Sequence, residues 1–435
     1  MIDESSVLRA LQSVDGIRLS GRVTRLVGLT MESEGPPVKV GELVEIGDGT
    51  ERCLAEVVGF KEGRALLMPL EHTSNVGPGS RVTAKGRRLQ VRVGRALLGR
   101  VLDGLGRPID GRGPLACQEL YEVHKPAPPP LERKRITEPF ELGIRAVDAL
   151  LTCGRGQRMG IFSGSGVGKS TLLGMIARNA QASVNVVALV GERGREVKEF
   201  IEEHLREGLS RSVVIVATSD APALMRLTAA FAAMAIAEYF RDQGEDVLLL
   251  MDSLTRFAMA QREVGLAAGE PPTARGYTPS VFALLPRLLE RAGPSAQGTI
   301  TAFFTVLMDA DDENDPIADA ARGVLDGHIL LSRSLARKGH YPAIDVLGSV
   351  SRLMSEVVVE EHLRLAAEAK QVLALYQEAE DLVNIGAYKR GANEEIDRAI
   401  ELYEPIMRLL RQEETEQTPL EEAVHLLRSV LRGEG

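Results

Sequence analysis

Residues 164–171, Gly164, Ser165, Gly166, Val167, Gly168, Lys169, Ser170 and Thr171, combine the residue types that hold a phosphate chain. Three glycines alternating with small residues can turn the backbone so that successive N–H groups point into one concavity. Met159-Gly-Ile-Phe before them reads as a short buried strand, and the apolar run after Thr171 reads as a helix. The concavity therefore opens on a helix N-terminus, where orphan donors and the macrodipole favour anions. Lys169 supplies a mobile positive charge for β/γ-phosphates, and the Ser170 hydroxyl a ligand for Mg²⁺. The first position of the G-x-x-x-x-G-K-[ST] pattern is Ser163, a small residue that the turn tolerates. Strand, loop, Lys-Ser and helix in this order predict a nucleoside triphosphate site.

Hydrolysis needs more than a cradle. Val247-Leu-Leu-Leu-Met-Asp252 is an apolar run ending in a carboxylate, and in a parallel sheet that end is the ligand edge. Asp252 there would hold Mg²⁺ through its water shell, opposite Ser170. Val190-Gly-Glu192-Arg193-Gly-Arg195-Glu196 is a second strand-to-loop edge with two glutamates able to polarise an attacking water. Position directly after the strand favours Glu192 over Glu196. Tyr341, in Gly339-His-Tyr-Pro-Ala-Ile-Asp, could face an adenine ring, and Arg352, in Ser349-Val-Ser-Arg, could bring a guanidinium to a γ-phosphate.

These residues need an open sheet to carry them. Strand-like runs at 184–190, 213–217, 247–251, 299–306 and 328–331 alternate with helical patterns, notably 223–241. That alternation predicts an α/β core: a parallel sheet covered by helices on both faces. Upstream, from Ile17 to about Val93, short β-like runs broken by glycine predict a small antiparallel barrel. Residues 3–13 form a candidate amphipathic helix, with Val7, Leu8 and Leu11 on one side. A glycine-punctuated connector, 99–111, and the stiff Lys125-Pro-Ala-Pro-Pro-Pro lie between barrel and core. From about Glu356 glycine is scarce and the pattern helical; Thr418-Pro-Leu-Glu-Glu predicts a capped last helix. The expected domains are 1–95, 96–355 and 356–435.

Composition excludes several classes. The chain has 435 residues, a formal net charge of −9, 4% aromatics and no Trp, which argues against base-stacking platforms and bulk nucleic-acid binding. Three cysteines without C-x-x-C spacing fit free thiols rather than a disulfide frame or zinc site. No run approaches eighteen uninterrupted apolar residues, and Met-Ile-Asp-Glu-Ser-Ser at the start predicts no signal peptide. Nine basic residues between Arg81 and Arg112 face only Asp103 and Asp110 in that stretch. They read as solvated strand faces or subunit contacts.

Gly-Ser-Gly-Val-Gly-Lys-Ser (164–170), Gly-Glu-Arg-Gly-Arg-Glu (191–196), Leu-Met-Asp-Ser-Leu-Thr-Arg-Phe (250–257) and His-Tyr-Pro-Ala-Ile-Asp (340–345) resemble the α/β subunits of rotary ATPases. The phrase running from Arg256-Phe-Ala-Met-Ala-Gln-Arg-Glu to Glu270-Pro-Pro is similar to the flagellum-specific ATPases of type III protein export. So are Arg275-Gly-Tyr-Thr-Pro-Ser-Val-Phe and Pro286-Arg-Leu-Leu-Glu-Arg-Ala-Gly. The resemblance implies a β-barrel, a RecA-like core and a helical C-terminal domain, assembled as a cytoplasmic homohexamer at the inner face of the membrane. ATP and Mg²⁺ are the implied ligands. Stator and stalk proteins, export chaperones and export substrates are the implied partners, with no nucleic acid and only peripheral membrane contact. It implies that Lys169 and Ser170 contact phosphate and Mg²⁺ and that Glu192 is the catalytic carboxylate. Arg193 would be a phosphate-sensing arginine, Asp252 the second Mg²⁺ ligand, and Tyr341 an adenine platform. Arg352 would be an arginine finger reaching the neighbouring subunit's site.

Rival readings are a virulence-type secretion ATPase, a rotary ATP synthase catalytic subunit and a transcription-terminator-like nucleic-acid motor. The acidic Asp-Glu-Leu-Ser-Glu-Glu-Asp tract of the catalytic F-type subunit is absent, with Asn384-Ile-Gly-Ala-Tyr-Lys-Arg-Gly in its place, which favours the export branch.

Overall fold

The computed structural model describes residues 19–48, 52–73, 75–308 and 315–433. The candidate helix at 3–13 lies outside them. Six strands close a barrel in the order β1-β2-β5-β4-β3-β6. They are β1 (Ser20–Val27), β2 (Thr30–Glu34), β3 (Leu43–Ile46), β4 (Cys53–Lys61), β5 (Arg64–Pro69) and β6 (Arg81–Ala84). Alternation along the strands sends Val23, Met31, Val44, Ile46, Val57, Leu67 and Val82 inside, where all are buried.

The barrel closes at β6, ahead of the expected boundary at 95. The run at 88–93, read as a barrel strand, forms β7 (Gln90–Val93), which pairs with β9 (Glu119–Glu122) in a separate two-stranded sheet. Between them, β8 (Arg100–Asp103) lies in the expected connector and joins the central sheet in parallel as an edge strand. A strand of four residues at a sheet edge has little period for a sequence to show.

The central sheet holds β10 (Arg158–Ser163), β11 (Val184–Val190), β12 (Ser212–Ala217), β13 (Asp246–Asp252), β14 (Gly293–Pro294), β15 (Thr299–Leu307), β16 (Gly327–Leu331) and β17 (Ile344–Ser351). Its order is β17-β16-β10-β15-β13-β11-β12-β8, with β14 paired to β15. Only β14 and β17 run antiparallel. Strand residues alternate between two cores, Val186 and Ala188 to one face of β11, Val187 and Leu189 to the other. The first face is covered by helices 223–242, 254–268 and 279–289, the second by helix 169–179 and the C-terminal helices. Helix 223–242 is long and apolar enough to cross a membrane by length and composition alone, but it is packed in the core and does not overturn the expectation of no spanning segment. Such a helix, hydrophobic all round, is buried in a large protein as readily as in lipid.

The carboxyl-terminal helices are Glu360–Asn384, Glu394–Leu410 and Leu420–Arg432. The expected cap at Thr418 does not form: Pro419 precedes the last helix and no side chain caps it. Thr418 Oγ1 instead accepts from Arg145 Nη1 at 3.2 Å, because Arg145 also binds the Leu409 carbonyl and docks this loop on the core. The basic stretch is largely bonded internally. Arg100 is bidentate with Asp110 at 2.7 and 2.9 Å, Lys85 meets Glu45, and Arg107 bridges Asp103 and barrel Glu71. Cys53, Cys117 and Cys153 are buried free thiols.

Candidate active site

Ser163 ends β10 flanked by Leu307 of β15 and Leu331 of β16, so the chain leaves the middle of the sheet at its carboxyl edge. Gly166 and Gly168 have φ of 75° and 88°, values that L side chains adopt rarely. These two turns curl the backbone, and Gly168 then starts helix 169–179 without any side-chain cap. Uncapped N–H groups at a helix start are the donors an anion would take.

Lys169 Nζ sits 2.5 Å from Asp252 Oδ1 and 3.6 Å from Glu192 Oε1. Asp252 is the last residue of β13 and is 4% exposed; Thr305 Oγ1 on β15 donates to the same Oδ1 at 2.7 Å. Burial works against the charge on Lys169, but Asp252 and Glu192 outweigh it and raise its proton affinity. Glu192, 9% exposed, is pushed up to about 7, first by burial and then by the Asp252 charge, with Lys169 pulling the other way. A carboxyl with affinity near neutrality can both take and release a proton at physiological pH. Its Oε1 is buried and accepts no hydrogen bond.

Of the two candidate glutamates, Glu192 thus faces the Lys169–Asp252 pair. Glu196 lies 3.7 Å from Arg193, whose side chain is 75% exposed. The structure therefore does not bring Arg193 onto the phosphate loop. Tyr341 is brought there: a Cβ at Gly168 would stand 3.4 Å from two carbons of its ring, which stays 45% exposed. Arg352 is not. Its backbone N–H donates to the Asp326 carbonyl at 3.0 Å, and Asp326 grips Arg158 at the start of β10. The loop lies past the other end of that strand, about 16 Å away at ~3.3 Å per residue. Arg352 cannot serve its own chain's loop.

Ser170 stands in the first turn of the helix, next to Lys169, whose amine reaches Asp252. A hydroxyl and one carboxylate are hard oxygen donors that fit Mg²⁺, and the described residues hold no cluster of three or more His, Cys, Asp or Glu. That sparse set suits a cation taking its other ligands from water and phosphate.

Three residues escaped the sequence reading. Thr305 fixes Asp252 from the next strand, a contact set by sheet register alone. Arg256, one turn past Asp252 on helix 254–268, packs its stem on Gly191, lowers the proton affinity of Glu192 and buries an Nε without a hydrogen bond. Its place in the first turn of the helix that follows the Asp252 strand was the available signal. Arg333 lies against Gly164.

A strand–loop–helix cradle at the carboxyl edge of a parallel sheet, with a carboxylate at or just past the end of each of two neighbouring strands, defines a P-loop nucleoside triphosphatase. Residues 143–351 match the family model of the ATP synthase alpha/beta family, nucleotide-binding domain. Residues 23–86 match the beta-barrel domain of the same family, and 358–429 the T3SS EscN ATPase C-terminal domain. The chain is 53% identical over 433 residues to the flagellum-specific ATP synthase of Bacillus subtilis, covering 99% of each. It is 51% identical to the type 3 secretion system ATPase of Xanthomonas euvesicatoria, covering 98% of this chain and 97% of that one. The assembled ATPase EscN of the enteropathogenic E. coli type III secretion system superposes with a TM-score of 0.90 at 47% identity, covering 94% of this chain and all of that one. The chain belongs to the ATP synthase α/β family, in its branch of flagellar and type III secretion ATPases.

Proposed function

We propose that this chain hydrolyses Mg-ATP as a homohexamer and that hydrolysis powers or primes flagellar type III protein export. The observation that carries the chemistry is the convergence of Lys169, Asp252 and Glu192 at the end of the loop. Lys169, charged by its two carboxylates, exchanges them for the β- and γ-phosphates. The loop N–H groups hold the phosphate chain, and the Tyr341 ring, resting on Gly168, takes the adenine. Mg²⁺, when bound by Ser170 and Asp252, supplies positive charge to the β/γ-oxygens. Glu192 orients the attacking water and receives its proton. Arg193 senses the γ-phosphate only if its exposed side chain swings inward. Arg352 completes the site of the next subunit, since its own loop is out of reach. EscN was also solved with its central stalk, EscO; a stalk and a stator, with chaperones and export substrates, are the partners this reading assigns. The chain then works in the cytoplasm at the inner face of the membrane.

A virulence secretion role is the second reading, favoured by the 51% identity to the Xanthomonas ATPase. One experiment tests both. The gene is expressed in a bacterium lacking its flagellar ATPase and, separately, in one lacking its virulence ATPase. Restored swimming without restored effector secretion supports the flagellar reading, and the reverse replaces it. Lys169→Ala should restore neither and show no ATPase activity, because the only full charge in the loop is gone. Normal turnover by that variant would refute the assigned site.

A further inference from the structure

We infer that Arg333 is a positioning residue for the phosphate loop, its guanidinium the seat on which the first limb of the loop rests. This inference rests on the phosphate site proposed above.

Ser163 and Leu331 are paired in parallel, so Gly164 and Ser332 leave the sheet side by side. Ser332 N–H bonds the Ala343 carbonyl at 2.8 Å, and its hydroxyl accepts from Leu335 N–H, fixing the start of helix Arg333–Arg337. Arg333 is the first residue of that helix. A Cβ at Gly164 would stand 2.5 Å from Arg333 Nη2, 2.6 Å from Nε and 2.8 Å from Cζ. Both nitrogens stand nearer than Cζ, so Gly164 meets the Nε–Nη2 edge of the guanidinium. At the other end of the loop a Cβ on Gly168 would stand 3.4 Å from Cδ1 and Cε1 of the Tyr341 ring. A single excursion, residues 332–342, therefore sets one side chain against each end of the cradle. At Gly166, between them, a side chain would meet nothing within 4 Å.

The two terminal glycines are glycines for different reasons. Gly168 needs its positive φ. Gly164 has no such φ, so an L residue could adopt its backbone, and only the guanidinium stands in the way. Arg333 also adds positive charge beside a cradle meant for a polyanion. Lysine could supply that charge but not the rigid Nε–Nη2 edge.

The test is a double-mutant cycle on the full chain, read as affinity for a fluorescent Mg-ATP analogue. Gly164→Ala pushes the guanidinium off its seat, and Arg333→Ala removes it. Each should weaken binding about tenfold, and the double variant should be no weaker than the worse single one, since both delete one contact. Arg333→Lys should resemble Arg333→Ala. The nucleotide-free melting temperature should stay within a few degrees throughout; a purely structural arginine would move it and leave affinity alone. Multiplicative losses in the cycle, or full affinity in Arg333→Ala, would overturn the role of Arg333. If Lys169→Ala still bound and hydrolysed normally, the phosphate site itself would fail instead.

Discussion

Glu192 shows how much of this site is set by environment rather than residue type. Burial and the Asp252 charge lift its proton affinity to about 7 in the nucleotide-free chain. The proton is held more tightly folded than unfolded, so protonation stabilises the fold below the ordinary carboxyl range, and that contribution is lost as pH rises through about 7. Glu192→Gln removes the titration. Its melting temperature should match the parent near pH 4.5 and exceed it near pH 8. The same variant should keep ATP affinity yet lose roughly 10²–10⁴-fold in turnover, the usual worth of a placed acid–base group. In the parent, kcat/KM should climb with pH through neutrality, because the working form is the carboxylate. Identical melting of parent and variant at pH 8 would mean that Glu192 carries no raised proton affinity. Lys169, Asp252 and Glu192 were legible in the sequence because each directly follows an apolar strand or a glycine run. Thr305, Arg256 and Arg333 were not, since their places depend on which strands become neighbours and how far each helix turns.

At the level of elements, one buried ion pair joins three parts of the core. Arg291 follows helix 279–289 and is bidentate with Glu238 of helix 223–242 at 2.8 and 2.7 Å. Its third nitrogen donates to the Val123 carbonyl, just past β9. Both side chains are at most 2% exposed, so removing one partner strands the other charge. Glu238→Ala should therefore cost about 3–5 kcal/mol, the range for breaking buried pairs. A lowered urea midpoint, followed by the fluorescence of the chain's tyrosines, would report it. A loss no larger than that of an exposed pair such as Arg364–Glu360 would show that the buried contact is not structural. The long central helix and the apolar parallel strands were readable from period and length, but the eight-residue β17, an antiparallel edge strand with mixed burial, was not. The short strands were not: β7 and β8 have four residues each, and only their partners decide that one leaves the barrel and the other joins the central sheet. The missing cap at Thr418 has a similar cause, as Arg145 draws that hydroxyl away to dock the C-terminal helices.

Across the whole molecule, the parts proposed for catalysis are divided between opposite ends of the sheet. The loop, Glu192 and Asp252 lie at the carboxyl edge, whereas Arg352 follows β17, whose antiparallel course returns the chain to the start of β16. On the proposed reading, a chain alone holds two incomplete half-sites, and a head-to-tail ring would make them whole. Finger arginines in phosphohydrolases are worth roughly 10³–10⁵ in rate. Arg352→Ala should accordingly fold and bind ATP but turn over very slowly. Mixing it with Lys169→Ala gives the decisive case. In an equal random mixture about one interface in four would join an intact loop to an intact finger, by the arithmetic of head-to-tail contacts. Activity should then rise well above that of either parent, after subunit exchange has been verified by size and labelling. Were Arg352 to act within its own chain, every site in the mixture would still carry a defect, and activity would stay at the parents' level. That outcome, in verified mixed rings, would remove Arg352 from the shared site and with it the requirement for a ring.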